Sequence, residues 1–173
     1  MHIQVKPDTG HQGNLHFGGK TYPCALGKSG VTLTKREGDH ASPMGVFDLR
    51  AVYYRADKLA KPACALPCHE ITAQDGWCDD PISSQYNKKI TLPFTASHEV
   101  LWRDDDLYDL VVILGHNDNP PVPGAGSCIF MHVAKSGFDG TEGCVALKRA
   151  DLLDLLSNVS TNTQIEIFPL KTV

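Results

Sequence analysis

No stretch of this 173-residue chain is apolar for the roughly 20 residues a membrane-spanning helix needs, so no membrane partner is expected. The start, Met1-His-Ile-Gln-Val-Lys-Pro-Asp8, lacks the charged segment, apolar stretch and small-residue cleavage site of a secretory leader. The expected location is therefore cytoplasmic. Basic charge is not in excess either: 16 Lys and Arg stand against 20 Asp and Glu, and a net charge of −4 argues against a nucleic-acid partner. Pairs such as Lys88-Lys89 and Lys148-Arg149 read as solvated surface. The glycine-rich pieces Gly18-Gly19 and Pro123-Gly-Ala-Gly126 lack the lysine and spacing of a phosphate loop and read as turns. No internal repeat and no low-complexity tract interrupts the chain.

What remains is an ordinary globular composition. Hydrophobic residues make up 42% and charged residues 21%, enough for a core in one domain spanning residues 1–173. Six cysteines occur, at 24, 64, 68, 78, 128 and 144. A chain of this length with a normal core does not need disulfide staples, and in a reducing compartment these are expected to be free thiols. Cys64, Cys68, His69 and Cys78 lie near one another in sequence, but a CxxC pair and a matching second pair are missing. Neither a metal nor a cofactor is expected.

The patterning is mainly β. Asn14–Phe17 and Lys20–Leu26 flank Gly18-Gly19 and predict a hairpin. Gly30–Thr34 continues the alternation, Lys35–Gly45 is a polar loop, and Val46–Arg55 resumes as a strand. Residues 56–87, rich in proline, read as a long irregular insertion of the kind that tends to carry function. Asp109–Leu114 is a continuous β-rich apolar run, expected in a buried central strand, and Ser127–Val133 is a second. Leucines at 152, 153, 155 and 156 give Lys148–Leu156 the apolar stripe of a helix, and Thr163–Phe168 alternates as a terminal strand. The whole predicts a single β-rich domain with a mixed-sheet core, a long insertion and one helix.

The chemistry concentrates between residues 129 and 147. His132 ends an apolar strand, and Cys144 follows Gly143 in a turn expected to lead into the helix. A thiol attacks a carbonyl as thiolate, an imidazole can take its proton, and a glycine turn can aim backbone N–H groups at the oxyanion. Cysteines and histidines are numerous enough for such a pair to arise by chance, and by residue type alone a structural cysteine is the commoner case. A second cluster, Ser97–Asp109 and then Leu114–Asn119, offers Trp102, Arg103 and Tyr108 as an aromatic wall with a cation suited to a carboxylate. His116 and Asn117 follow the buried strand. An ion-paired surface loop and a capped strand end explain the same residues equally well.

The segment around Cys144 resembles the L,D-transpeptidase catalytic-domain (YkuD) family, in which a strand histidine is followed by a Ser/Thr-His-Gly-Cys motif. The matching positions are His132, Thr141, Gly143, Cys144 and Val145, and the upstream Pro-X-Gly-X-Phe signature appears as Pro43-Met-Gly-Val-Phe47. Two positions depart from it: Glu142 replaces the histidine before Gly143, and Ala146 replaces the usual arginine. Glu142 is expected to face the substrate's amine or an arginine. The resemblance implies a β-rich fold and a thiol that cuts the L-to-D peptide bond of a peptidoglycan stem tetrapeptide, presented as a muropeptide or nucleotide-linked. Leaderless members of the family resemble L,D-carboxypeptidases of peptidoglycan recycling; transpeptidation and a non-catalytic muropeptide sensor are the alternatives. Either a backbone carbonyl or Ser127 could orient His132.

Overall fold

The computed structural model describes residues 2–170. Three strands open the chain as a meander: β1 (His2–Pro7), β2 (Gln12–Phe17) and β3 (Lys20–Ala25). The β2–β3 hairpin closes on Phe17 opposite Lys20. Gly18 and Gly19 take φ of 57° and 80°, the positive values at both central positions that a two-residue hairpin turn demands. The polar loop that follows is clasped by the two-residue strands β4 (Val31–Thr32) and β5 (Ser42–Pro43), so the strand expected through Thr34 is shorter than its alternation suggests. β6 (Gly45–Tyr54) is the longest strand, and β7 (Cys68–Glu70) lies parallel to its second half.

Residues 56–87 contain β7 and β8 (Asp75–Cys78) between stretches of coil. With β9 (Lys89–Thr91) and β10 (His98–Val100), β8 forms a small three-stranded cap in the order β10-β8-β9. The chain then returns to the main sheet through β11 (Leu110–Leu114), β12 (Phe130–Val133) and β13 (Val145–Leu147). It finishes with α1 (Arg149–Leu156) and β14 (Gln164–Ile167).

The main sheet has nine strands in the order β11-β12-β13-β3-β2-β1-β14-β6-β7, and β6 also pairs with β11, which closes the sheet into a barrel. It is mixed: β1–β14, β12–β13 and β6–β7 are parallel and the other pairs antiparallel. Strand alternation sorts β11, β12 and β13 onto two faces. Val112, Leu114, Met131, Val133, Val145 and Leu147 join the main core with Leu152, Leu155 and Leu156 of α1. On the opposite face Val111, Ile113, Phe130 and Cys144 form a second cluster with Leu101, Tyr108 and Ile71. The cap covers this second face, with Trp77 edge-on to Phe130 at 5.3 Å. All five residues of β11 are buried because both sides are covered, which explains the unbroken apolar run in the sequence. The helix does not follow the cysteine directly, because Val145–Leu147 first pairs between β12 and β3.

Candidate active site

Parallel pairing of β12 with β13 sets Met131 opposite Val145 and His132 opposite Ala146. Cys144 stands one residue before β13, so alternation brings it to the face shared by Ala146, His132 and Phe130. The small Ala146 leaves that face open, and Cys144, Ala146 and His132 line one cleft of about 680 Å³. The Phe130 N–H donates to Cys144 Sγ at 3.4 Å, and the thiol donates to the Cys128 carbonyl at 3.2 Å. Cys128 holds that carbonyl with a φ of 54°, a backbone state disfavoured for a residue with a side chain.

His132 Nδ1 lies 2.9 Å from the Val133 carbonyl oxygen. A carbonyl only accepts, so Nδ1 carries the proton and Nε2 keeps its lone pair. Ser127 is not the orienting group: its hydroxyl donates to Glu37 at 2.7 Å. Tyr108 packs edge-on to the imidazole at 5.4 Å and donates its hydroxyl to Glu99. Burial disfavours charge on both partners. It lowers the His132 pKa to about 4 and, with the Glu99 charge adding to it, raises the Cys144 thiol to about 12. The resting pair is a neutral thiol beside a neutral imidazole.

The loop before Cys144 is held by hydroxyls. Thr141 Oγ1 donates to the Cys144 carbonyl at 2.7 Å and accepts the Gly143 N–H at 3.1 Å. Ser42 Oγ donates to the same carbonyl at 3.3 Å. Gly143 has a φ of 138°, and a Cβ there would meet the Ala41 carbonyl oxygen at 2.8 Å, so only glycine fits. Its N–H, expected to help hold the oxyanion, is engaged by Thr141. The Cys144 N–H makes no hydrogen bond among the described residues and is the backbone donor left at the thiol. Glu142 points outward to Lys28 and His40, and these partners lower its pKa, Lys28 most. Its partners are thus a lysine and a histidine of this chain, with no arginine among them.

Of the other residues singled out in the sequence, the cleft brings together Arg103, Tyr108, Thr141 and Glu142. Arg103 is clamped through Nε and Nη2 by Asp105 and lies over the Tyr108 ring at 5.1 Å. Trp102, His116 and Asn117 fall outside the lining. Trp102 stacks under the Arg55 guanidinium at 3.7 Å. His116 Nε2 donates to the Ala125 carbonyl, and the Asn117 amide braces the proline-rich loop at Val122 and Gly126. These two are scaffolding for the segment that carries Cys128 into β12.

The cleft also holds charged groups that had not stood out in the sequence: Lys35 and Glu37 from the polar loop, and Asp79 and Glu99 from the cap. Glu99 is pushed up chiefly by burial, with Asp79 and Glu37 adding repulsion. Asp79 Oδ1 is buried without a hydrogen-bond partner. All six cysteines are unbonded, and Cys64 and Cys68 face each other at 3.2 Å beside β7, away from the cleft. Among the described residues no helix is long and apolar enough to cross a membrane, and no group of three His, Cys, Asp or Glu is arranged to hold a metal.

No curated protein and no solved structure matches the chain. The family model for the L,D-transpeptidase catalytic domain (YkuD) matches residues 9–167, which include β2 through β14 and every residue of the cleft. That span is nearly the whole chain, and it joins the Pro43–Phe47 signature to the His132–Cys144 pair in one domain. By that match the chain belongs to the L,D-transpeptidase catalytic domain family, whose chemistry is cysteine acyl transfer on peptidoglycan peptides.

Proposed function

We propose that this protein is an L,D-carboxypeptidase that removes terminal D-alanine from peptidoglycan stem tetrapeptides, with Cys144 as nucleophile and His132 as base. The observation that carries this reading is the His132 tautomer, with Nδ1–H on the Val133 carbonyl and Nε2 unprotonated in the cleft that Cys144 lines. Nε2 takes the thiol proton as sulfur attacks the carbonyl carbon of the L-centre residue. The tetrahedral intermediate collapses, the C–N bond breaks, and the imidazolium returns its proton to the departing D-alanine amine. A thioester remains on Cys144. Water, deprotonated by His132, hydrolyses it and releases the tripeptide and the thiol.

Water as acceptor suits a cleft whose rim is charged and exposed, lined by Lys28, His40, Glu142, Lys135 and Asp139. It also suits the cytoplasmic setting expected from the sequence, where stem peptides are trimmed rather than cross-linked; cell fractionation tests that setting. A second reading, transpeptidation, is favoured by one feature. Glu37, Asp79 and Glu99 give the cleft an acidic wall, and a buried unpartnered Asp79 oxygen suits an incoming amine.

Mass spectrometry of a muropeptide tetrapeptide incubated with the protein, with and without excess D-amino acid, separates these readings. Loss of D-alanine in both conditions, absent with Cys144→Ala, supports the carboxypeptidase. Exchange of D-alanine for the added amino acid supports transpeptidation. No change in either condition contradicts both and leaves a binding role for the cleft.

A further inference from the structure

The Lys35 side chain is only 6% exposed although it belongs to a polar loop, and it lines the catalytic cleft. Burying an ammonium costs several kcal/mol unless it is paired and hydrogen-bonded, so this placement calls for a reason. Part of the answer is Asp39. Its carboxylate accepts the Ala41 N–H at 2.9 Å and the Arg36 N–H at 2.8 Å, and in that fixed position also accepts Lys35 Nζ. The Arg36 carbonyl accepts a second Lys35 N–H at 3.1 Å. An ammonium has three donors, and the third has no partner among the described residues.

Two glycines make room for this side chain. A Cβ at Gly126 would lie 2.8 Å from Lys35 Cγ and 3.1 Å from Cε. A Cβ at Gly143, the residue before the nucleophile, would lie 3.5 Å from Lys35 Nζ. Lysine, loop glycine and nucleophile-loop glycine come from three separate segments, and together they carry one cation to the backbone beside Cys144. From that position its charge favours the thiolate, against the larger effect of burial on the Cys144 thiol.

The oxyanion that forms when Cys144 attacks a carbonyl needs donors at this spot, and the Gly143 N–H is engaged by Thr141. We propose that Lys35 is a catalytic residue: its third N–H supplies, with the Cys144 N–H, the hydrogen bonds that stabilise the oxyanion of the tetrahedral intermediate. This rests on the acyl-transfer reading above. A lysine that merely clamped its loop through Asp39 would leave the chemistry at Cys144 unaffected once the protein was folded.

The test compares wild type, Lys35→Met and Lys35→Arg for D-alanine release from a disaccharide-tetrapeptide, with melting curves as the check on folding. Removing one oxyanion donor should lower kcat about 100- to 1000-fold, with KM within about threefold, and arginine should restore part of the rate. If Lys35→Met does not fold, Lys35→Gln, which keeps a donor for Asp39, replaces it in the comparison. A folded neutral variant with wild-type kcat, or with its whole loss in KM, overturns the proposal. Iodoacetamide alkylation of Cys144 against pH is run alongside without substrate, and loss of the cation should move that profile to higher pH. If wild type releases no D-alanine, the carboxypeptidase reading falls, and the alkylation profile still decides on Lys35: an unmoved profile overturns its role.

Discussion

His132 Nδ1 donates to the carbonyl of its own neighbour, Val133, at 2.9 Å, so the imidazole proposed as base is oriented by backbone rather than by a carboxylate. No acidic side chain shares the imidazole's charge at that nitrogen. Burial outweighs the opposing Val133 hydrogen bond and lowers the His132 pKa to about 4.

A pH profile checks this directly. The base form of His132 exists above about pH 4, and the Cys144 thiol keeps its proton up to about 12. We expect kcat/KM to rise with pH through about 4 and then stay level across neutrality. Alkylation of Cys144 without substrate should be slow at pH 7 and accelerate steeply only in alkali. A reactive thiolate already formed near pH 6 would contradict the neutral pair.

The same shift makes an acid-stability prediction. His132 titrates near 6.5 in the unfolded chain and near 4 in the folded protein. The unfolded state binds the extra proton, so stability present above pH 6.5 is lost as pH falls toward 4, by about 3 kcal/mol. Urea denaturation at pH 7 and pH 4.5 should show a smaller acid loss for His132→Gln than for wild type. Equal losses would remove His132 from the account.

Thr141 and Gly143 form one device around Cys144. Thr141→Val deletes the hydroxyl that joins the Gly143 N–H to the Cys144 carbonyl, and should cost about 1–3 kcal/mol of stability. It should also lower kcat, with Thr141→Ser close to wild type in both. Gly143→Ala forces a Cβ onto the Ala41 oxygen and should be the more damaging change. Chemical denaturation and turnover on the same preparations check the order.

Arg103 keeps Nη1 free of protein partners among the described residues while Asp105 holds Nε and Nη2. It is our candidate for gripping a substrate carboxylate. Arg103→Ala should raise KM about tenfold or more, the loss of one charge-assisted contact, while leaving Cys144 alkylation unchanged. An unaltered KM would count against that role.

How far the sequence could be read depended on element length. The β2–β3 hairpin was legible because two adjacent glycines mark its turn, and β11 because a strand covered on both faces leaves an unbroken apolar run. β13 is three residues, Val-Ala-Leu, too short to show any period, so a helix was expected directly after the cysteine. β1, with only Ile3 and Val5 pointing inward, also escaped notice. Cys144 and His132 stand out in the sequence because they sit in a recognisable motif, and the fold brings both to the lining of one cleft. Lys35, Glu37, Asp79 and Glu99 were not, because they come from separate loops and cap strands whose convergence is a tertiary fact. His116 and Asn117 look like site residues in sequence, yet their polar atoms serve the backbone of a neighbouring loop.

The central claim is that Cys144 carries the acyl group, and intact-protein mass spectrometry during turnover of a stem tetrapeptide tests it most directly. A transient mass increase equal to the tripeptide acyl group, mapped to Cys144 and absent from Cys144→Ala, is the predicted result. Undiminished D-alanine release by Cys144→Ala, or an acyl adduct on another cysteine, would contradict it.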